Sequence, residues 1–280
     1  LQKFITLADG QRKMDGIFEG ESKTYDLRGK RFCLVMAGNP YTESGEKFKI
    51  PDMLANRADV YNLGDVIGNT EDLFKLSLIE NAVAENKYLL QVTNKSFDDI
   101  YKLVSYIETN SDILPDLEGN HPSQVVDEAI AVLKNLLRIR DTVIKVNAQY
   151  IASAAMKDAY RTEPAFKMQG SYRNMNKMAA RVVPLMNTGE VQTLLLSHYE
   201  GESQTLTADA EANLLKLKEL AGVITAAELE RWEQIKQIFR QNNKFGGLEQ
   251  GDATGKMLVQ LSDFNEHLQA IANAIKKASK

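Results

Sequence analysis

The chain has one cysteine, Cys33, so no intrachain disulfide can form. Its setting in an apolar run predicts a core residue, and a lone thiol fits the reducing cytoplasm. The three histidines, His121, His198 and His267, are scattered and lack the spacing of zinc ligands. Neither a Ser-His-Asp nor a Cys-His arrangement can be read from spacing. There is no run of about eighteen apolar residues, which excludes a helical membrane span. The formal net charge is −4, so charge gives no support for broad capture of nucleic acid, though it leaves room for a local basic face. No fixed-period repeat or low-complexity tract is present. Gly251–Met257 has the outline of a phosphate loop but fails the pattern. Gln250 stands where the first glycine belongs, and Met257 stands where Ser or Thr must follow the lysine.

What is present is a chain of 280 residues, 44% hydrophobic, long enough for a real core. Residues 1–7 read as the end of an amphipathic helix. Met14–Phe18 and Lys23–Leu27 read as a hairpin around Glu19-Gly20-Glu21-Ser22. Phe32–Ala37 is apolar throughout, the pattern of a strand covered on both faces. A second short apolar run covers Val60–Leu63. From Asn69 onward, apolar residues recur with helical period. The spacing predicts helices over 70–86, 96–108, 123–155, 174–185, 209–220, 226–240 and 257–277, and a glycine-rich loop over 245–255.

Three residues are candidates for chemistry. Asn39 follows the apolar run and precedes Pro40. A neutral amide at a strand tip can orient a water near a phosphate, while Asn-Pro is also an ordinary turn pair. Arg57 comes eighteen residues later, in Asn56-Arg57-Ala58-Asp59. Its guanidinium can neutralise phosphoryl charge or form a surface ion pair. Arg173 follows Gln169-Gly170-Ser171-Tyr172 at an expected helix start, a place suited to anions and to exposed arginines alike.

Together these segments resemble the second half of an AAA+ ATPase core of the MoxR type. The resemblance rests on the helix 1–7, the hairpin, the run 32–40 ending in Asn39-Pro40, and Pro51-Asp52-Met53-Leu54-Ala55-Asn56-Arg57. The wording AGNPYTESGEKFKIPDMLANRADVYNLGD, with FKMQGSYRNMNKMA further on, is similar to large bacterial MoxR-like proteins often labelled DNA-repair ATPases. The resemblance implies that Asn39 is sensor 1, that Arg57 is an arginine finger reaching a neighbouring subunit's ATP, and that Arg173 is the sensor-2 arginine. Ala58 departs from the phenylalanine many relatives carry. The Walker A loop and the Walker B acidic pair are not in this sequence.

The expected fold is therefore an α/β remnant of an AAA+ nucleotide-binding core (1–66), then a mainly helical lid with a long inserted helix (67–187), then a helical C-terminal region (188–280). Leu1 in place of an initiator methionine suggests the carboxyl-terminal part of a larger protein. The expected activity is ATP hydrolysis between subunits of a cytoplasmic homo-oligomeric ring, coupled to remodelling of a macromolecule and possibly tied to DNA repair. ATP and Mg²⁺ belong to the full-length protein, and this portion alone should bind neither tightly and be inactive. The hairpin is a candidate pore-facing device or a plain structural element. The alternative reading is a non-enzymatic helical protein-interaction module.

Overall fold

The computed structural model describes residues 5–42, 44–48, 50–61 and 70–245, with the helical positions Met257, Leu261, Phe264, Leu268, Ile271, Ala272 and Ile275. Residues 1–4, the second half of the Val60–Leu63 run with most of the boundary expected near 64–70, and most of the glycine-rich loop lie outside the described residues. The chain divides into two units. The first comprises Leu1–Ala154 with Lys167–Ala208, and the second comprises Ala155–Phe166 with Asp209–Lys280. Residues 188–208 thus group with the first unit. The described chain is mainly helical with one small sheet.

The first unit opens with α1 (Ile5–Ala8) and the hairpin β1 (Lys13–Phe18) and β2 (Glu21–Asp26). The strands pair antiparallel from Lys13↔Asp26 to Phe18↔Glu21. Glu19 and Gly20 form the two-residue loop, with φ of 52° and 83°. Two successive positive φ values match the turn whose twist suits a tight hairpin. Across the ladder, Thr24 Oγ1 donates to Asp15.

One expectation is overturned here. Phe32–Ala37 is neither strand nor helix, and Cys33 is exposed rather than buried. Val35 is 84% exposed. A strand needs a neighbour for its ladder hydrogen bonds, and among the described residues β1 and β2 pair only with each other. Without flanking strands among the described residues the run stays exposed, although Phe32, Leu34 and Met36 are partly covered, at 38–39% exposure.

Beyond it, Pro40–Phe48 forms a compact turn on the helical body. Tyr41 is buried against Tyr150, with ring centroids 5.7 Å apart, and its backbone N–H donates to the Tyr150 hydroxyl at 3.3 Å. Thr207 reaches the turn from the far side, donating to the Ser44 carbonyl through its N–H and its hydroxyl. The short helix α2 (Asp52–Ala55) follows and buries Leu54.

Six helices make the body of this unit: α3 (Glu71–Val83), α4 (Lys87–Thr93), α5 (Asp98–Glu108), α6 (Ser123–Ala155), α7 (Tyr172–Ala179) and α8 (Thr188–Ser203). α6 runs unbroken for 33 residues, about 50 Å at the helical rise. It buries Val132, Leu133, Leu136, Ile139, Val143 and Val146, more than one stripe, as befits a helix with neighbours around it. α3 packs on α7, α4 on α5, and α7 on α8.

Two buried polar side chains fasten this body. Asn86 caps α4, accepting from the N–H groups of Tyr88 and Leu89. Its Nδ2 donates to the carbonyls of Ala179 and Val182 at the end of α7. Every polar atom of the amide is thus used. Asp99, in the first turn of α5, is fully buried and accepts from the N–H groups of Glu118 and Gly119 and from His121 Nε2, each at 2.8 Å. That staple holds the loop between α5 and α6. Burial pushes the Asp99 carboxyl upward, but the two amide donors and His121 outweigh it and hold it below the usual range.

In the second unit, α9 (Ala210–Ala221) ends at Gly222, whose φ of 71° lets its own N–H and that of Val223 close the helix end. α10 (Ala226–Phe245) starts with a reciprocal cap between Thr225 and Glu228. Trp232 is buried with Ala212 and Leu215, and Ile224 and Ile235 pack against them.

Candidate functional site

The structure brings two of the three candidate segments together. Asn39, exposed at the entrance to the Pro40–Phe48 turn, donates through Nδ2 to Oε1 of Gln169 at 3.2 Å. The two residues are 130 positions apart in the chain. Gln169 lies four residues before Arg173, and its carbonyl accepts from the buried Tyr199 hydroxyl of α8 at 3.3 Å. Gly170 presses directly on α6. A Cβ there would collide with the Val143 carbonyl oxygen and lie 2.6 Å from the Asn147 nitrogen, so only glycine lets the segment come this close.

Ser171 then caps α7, with the reciprocal bond from Asn174. Arg173 is exposed in the first turn. Behind it lies a buried polar network that sequence spacing did not reveal. Asn174 Nδ2 donates to His198 Nε2 at 3.1 Å and to Glu202 Oε1 at 2.7 Å. Burial first, and then the charges of Lys177 and Arg181, lower His198 to about 4. Burial also raises Glu202, against the pull of Asn174, Lys177 and Arg173. His198 and Glu202 approach to 3.7 Å, but a histidine so depressed is neutral near pH 7, and the contact is polar rather than ionic. The network fixes the start of α7, and with it the base of the Arg173 side chain.

Arg57 stands apart from this pair. Its Nε bonds Asp9 Oδ1 at 2.8 Å and its Nη1 bonds the Met53 carbonyl at 2.7 Å. The guanidinium remains partly exposed, with 31% of the side chain accessible. Among the described residues no group of His, Cys, Asp and Glu could hold a metal ion.

Chemically, the arrangement offers a neutral amide and a guanidinium on two segments pinned to the same helical body, with a second guanidinium, that of Arg57, held by Asp9. Amide and guanidinium suit the oxygens of a phosphoryl group. Among the described residues neither a carboxylate cluster for Mg²⁺ nor a glycine-rich cradle accompanies them. No family model matches the chain, and no match is found among curated proteins or solved structures.

Proposed function

We propose that this chain is the C-terminal portion of an AAA+ ATPase of the MoxR type, in which Asn39 orients the attacking water, Arg173 meets the γ-phosphate from the lid, and Arg57 serves the ATP of an adjacent subunit. The observation that carries the reading is the Asn39–Gln169 hydrogen bond. It unites a sensor-1-like tip with the segment leading into a sensor-2-like helix. Bound ATP with Mg²⁺ supplies the phosphoanhydride and its charge neutralisation. The loop and acidic pair that would hold them are not in this sequence. The exposed run Phe32–Ala37 fits the same proposal, as a strand whose sheet neighbours belong to the rest of the core. The substrate would be a macromolecule remodelled in the cytoplasm by a homo-oligomeric ring; a place in DNA repair is an extension of the resemblance.

The test is the complete open reading frame. A GxxxxGK[ST] loop and an acidic pair upstream of Leu1, with Mg²⁺-dependent ATP turnover that falls on Asn39→Ala, support the reading. Their absence favours the second reading, a non-enzymatic helical interaction module, which the predominance of helices after residue 70 suits equally well.

A further inference from the structure

Between α5 and α6 the chain runs through residues 109–122 without helix or strand, longer than the usual connection of about 4–6 residues. It is firmly braced all the same. Asp99 grips its far end through the N–H groups of Glu118 and Gly119. Lys102 Nζ donates to the Asp116 carbonyl at 3.0 Å and to Glu118 at 3.1 Å, and Lys95 donates to the Asn120 carbonyl. Ser111 Oγ bonds both the N–H and the carbonyl of Ile113. What this bracing presents to solvent is apolar: Ile113 is 81% exposed, with Leu114 exposed beside it. Asp112 and Asp116 flank the pair, are exposed, and make no ion pair among the described residues. The result is a rigid apolar tip between two uncompensated carboxylates.

The same unit carries the opposite combination on α7 and the turn that follows it. Lys177 and, four residues on, Arg181 are exposed cations with no ion pair among the described residues. His198, on which both act, is neutral near pH 7, and Glu202, which Lys177 influences, is half-buried and bonded to Asn174. Leu185, four residues further, is 93% exposed. Charge and exposed aliphatic side chain repeat the loop's pattern with the sign reversed. We propose that the 109–122 loop of one copy of the chain docks on the α7 face of a second copy, with Asp112 and Asp116 meeting Lys177 and Arg181 while Ile113 and Leu114 cover Leu185. Charge sets the pairing: loop against loop and face against face both repel, which leaves loop against face. Each copy brings both halves of the contact, so no other protein is needed. Reciprocal pairing closes a dimer, and one-way pairing continues from copy to copy. A patch of this size lies at the weak end of the range of interfaces, and salt loosens its exposed ion pairs. Neither nucleotide nor Asn39, Arg57 or Arg173 takes part, so the contact stands or falls separately from ATP chemistry.

The experiment is a charge exchange on the whole 280-residue chain, followed by sedimentation equilibrium up to about 100 µM at about 0.05 M and about 0.5 M salt. Wild type is expected to self-associate at low salt and to loosen severalfold at high salt. Asp112→Lys/Asp116→Lys and, separately, Lys177→Glu/Arg181→Glu should each weaken association about tenfold or more, because like charges then face one another. The chain carrying all four changes should associate again, since its loop is basic and its face acidic. Circular dichroism checks that each variant keeps its helices. Should the fourfold variant lose helix, an equimolar mixture of the two double variants decides, and it should regain association that neither shows alone. A wild type that stays monomeric at about 100 µM in low salt overturns the proposal. So does a folded double variant that associates as wild type does, and so does a lack of restoration in both the fourfold variant and the mixture.

Discussion

Asn39 and Gln169, 130 positions apart in the chain, are joined side chain to side chain at 3.2 Å. The bond is exposed, so it adds little to stability; on the proposed reading its worth lies in aiming the Asn39 amide. On the proposed ATPase reading, Asn39→Ala in the complete polypeptide is expected to lower ATP turnover about 10²- to 10³-fold, the usual cost of losing one preorganised polar contact to the transition state. Nucleotide binding should persist. Gln169→Ala should cost about tenfold, as a positioning defect. Steady-state phosphate release beside fluorescent-nucleotide titration separates the two effects. Unchanged turnover in both variants would reduce Asn39 to a turn residue.

Arg57 meets Asp9 in a partly exposed ion pair, a type worth about 0–1 kcal/mol. If that pair were its whole purpose, Arg57→Ala and Asp9→Ala would behave alike. A finger acting across subunits predicts otherwise. Arg57→Ala should lose about 10³- to 10⁵-fold in turnover with nucleotide affinity kept, while Asp9→Ala keeps its activity. Mixed with subunits disabled in their own Walker B acid, Arg57→Ala subunits should recover part of the rate.

Asn86 offers a stability test free of any functional assumption. Replacing it with alanine removes the α4 cap, about 1 kcal/mol, and orphans two carbonyls at the end of α7, about 1–3 kcal/mol more. Urea unfolding should show a loss of about 2–4 kcal/mol. Asn86→Asp keeps the cap acceptor but turns a carboxylate toward the Ala179 and Val182 carbonyls, so it should be no better than alanine. An aspartate variant as stable as wild type would refute this account of the amide.

Protonation of the Asn174 network gives a pH signature. His198 titrates at about 4 when folded, against 6.5 for an ordinary histidine, so the unfolded chain binds its proton first. Its contribution is complete above about 6.5 and is lost as pH falls toward 4. Glu202, raised by burial, works the other way, losing its contribution as pH climbs above the ordinary glutamate range. Asp99, held low, contributes at neutral pH and gives way only in more acid solution. The stability of wild type minus that of His198→Gln, followed from pH 7 to 4, should therefore shrink steadily. A flat difference would mean that His198 is not desolvated.

Gly170 makes a final prediction. A methyl group there meets backbone of α6, which cannot swing aside, so Gly170→Ala should cost about 1–3 kcal/mol or more. In the complete protein it should also depress turnover by displacing the segment ahead of Arg173. Thermal melts and turnover check the two parts.

Periodicity carried the sequence reading for most of the longer helices. α3, α5, α6, α9 and α10 follow from apolar spacing, and the hairpin follows from its turn residues. α4 was not anticipated, because seven residues span two turns and display little period. Apolar spacing predicts no helix over α8, though Asn187 and Glu190 form the capping box that announces it. α7 was expected to reach Leu185 but ends at Ala179, where Asn86 takes up its last carbonyls, a tertiary stop invisible in local sequence. Phe32–Ala37 failed for the opposite reason. Its composition describes a strand, but a strand exists only beside another. The three candidate residues were legible as types at suggestive spacings. That Asn39 would lie against Gln169, with Asn174, His198 and Glu202 behind Arg173, depends on contacts across tens of positions that no local pattern encodes.

The exposed thiol of Cys33 has a practical consequence. It is the only cysteine in the sequence, and it sits inside the run whose partners are in question. A maleimide dye added to the native protein would therefore attach at one place, and its uptake would measure how much of the population leaves that run uncovered. In the 280-residue chain the label should go on quickly. In the complete polypeptide, a docked run would shield the sulfur, and labelling would slow to the rate at which the run peels away.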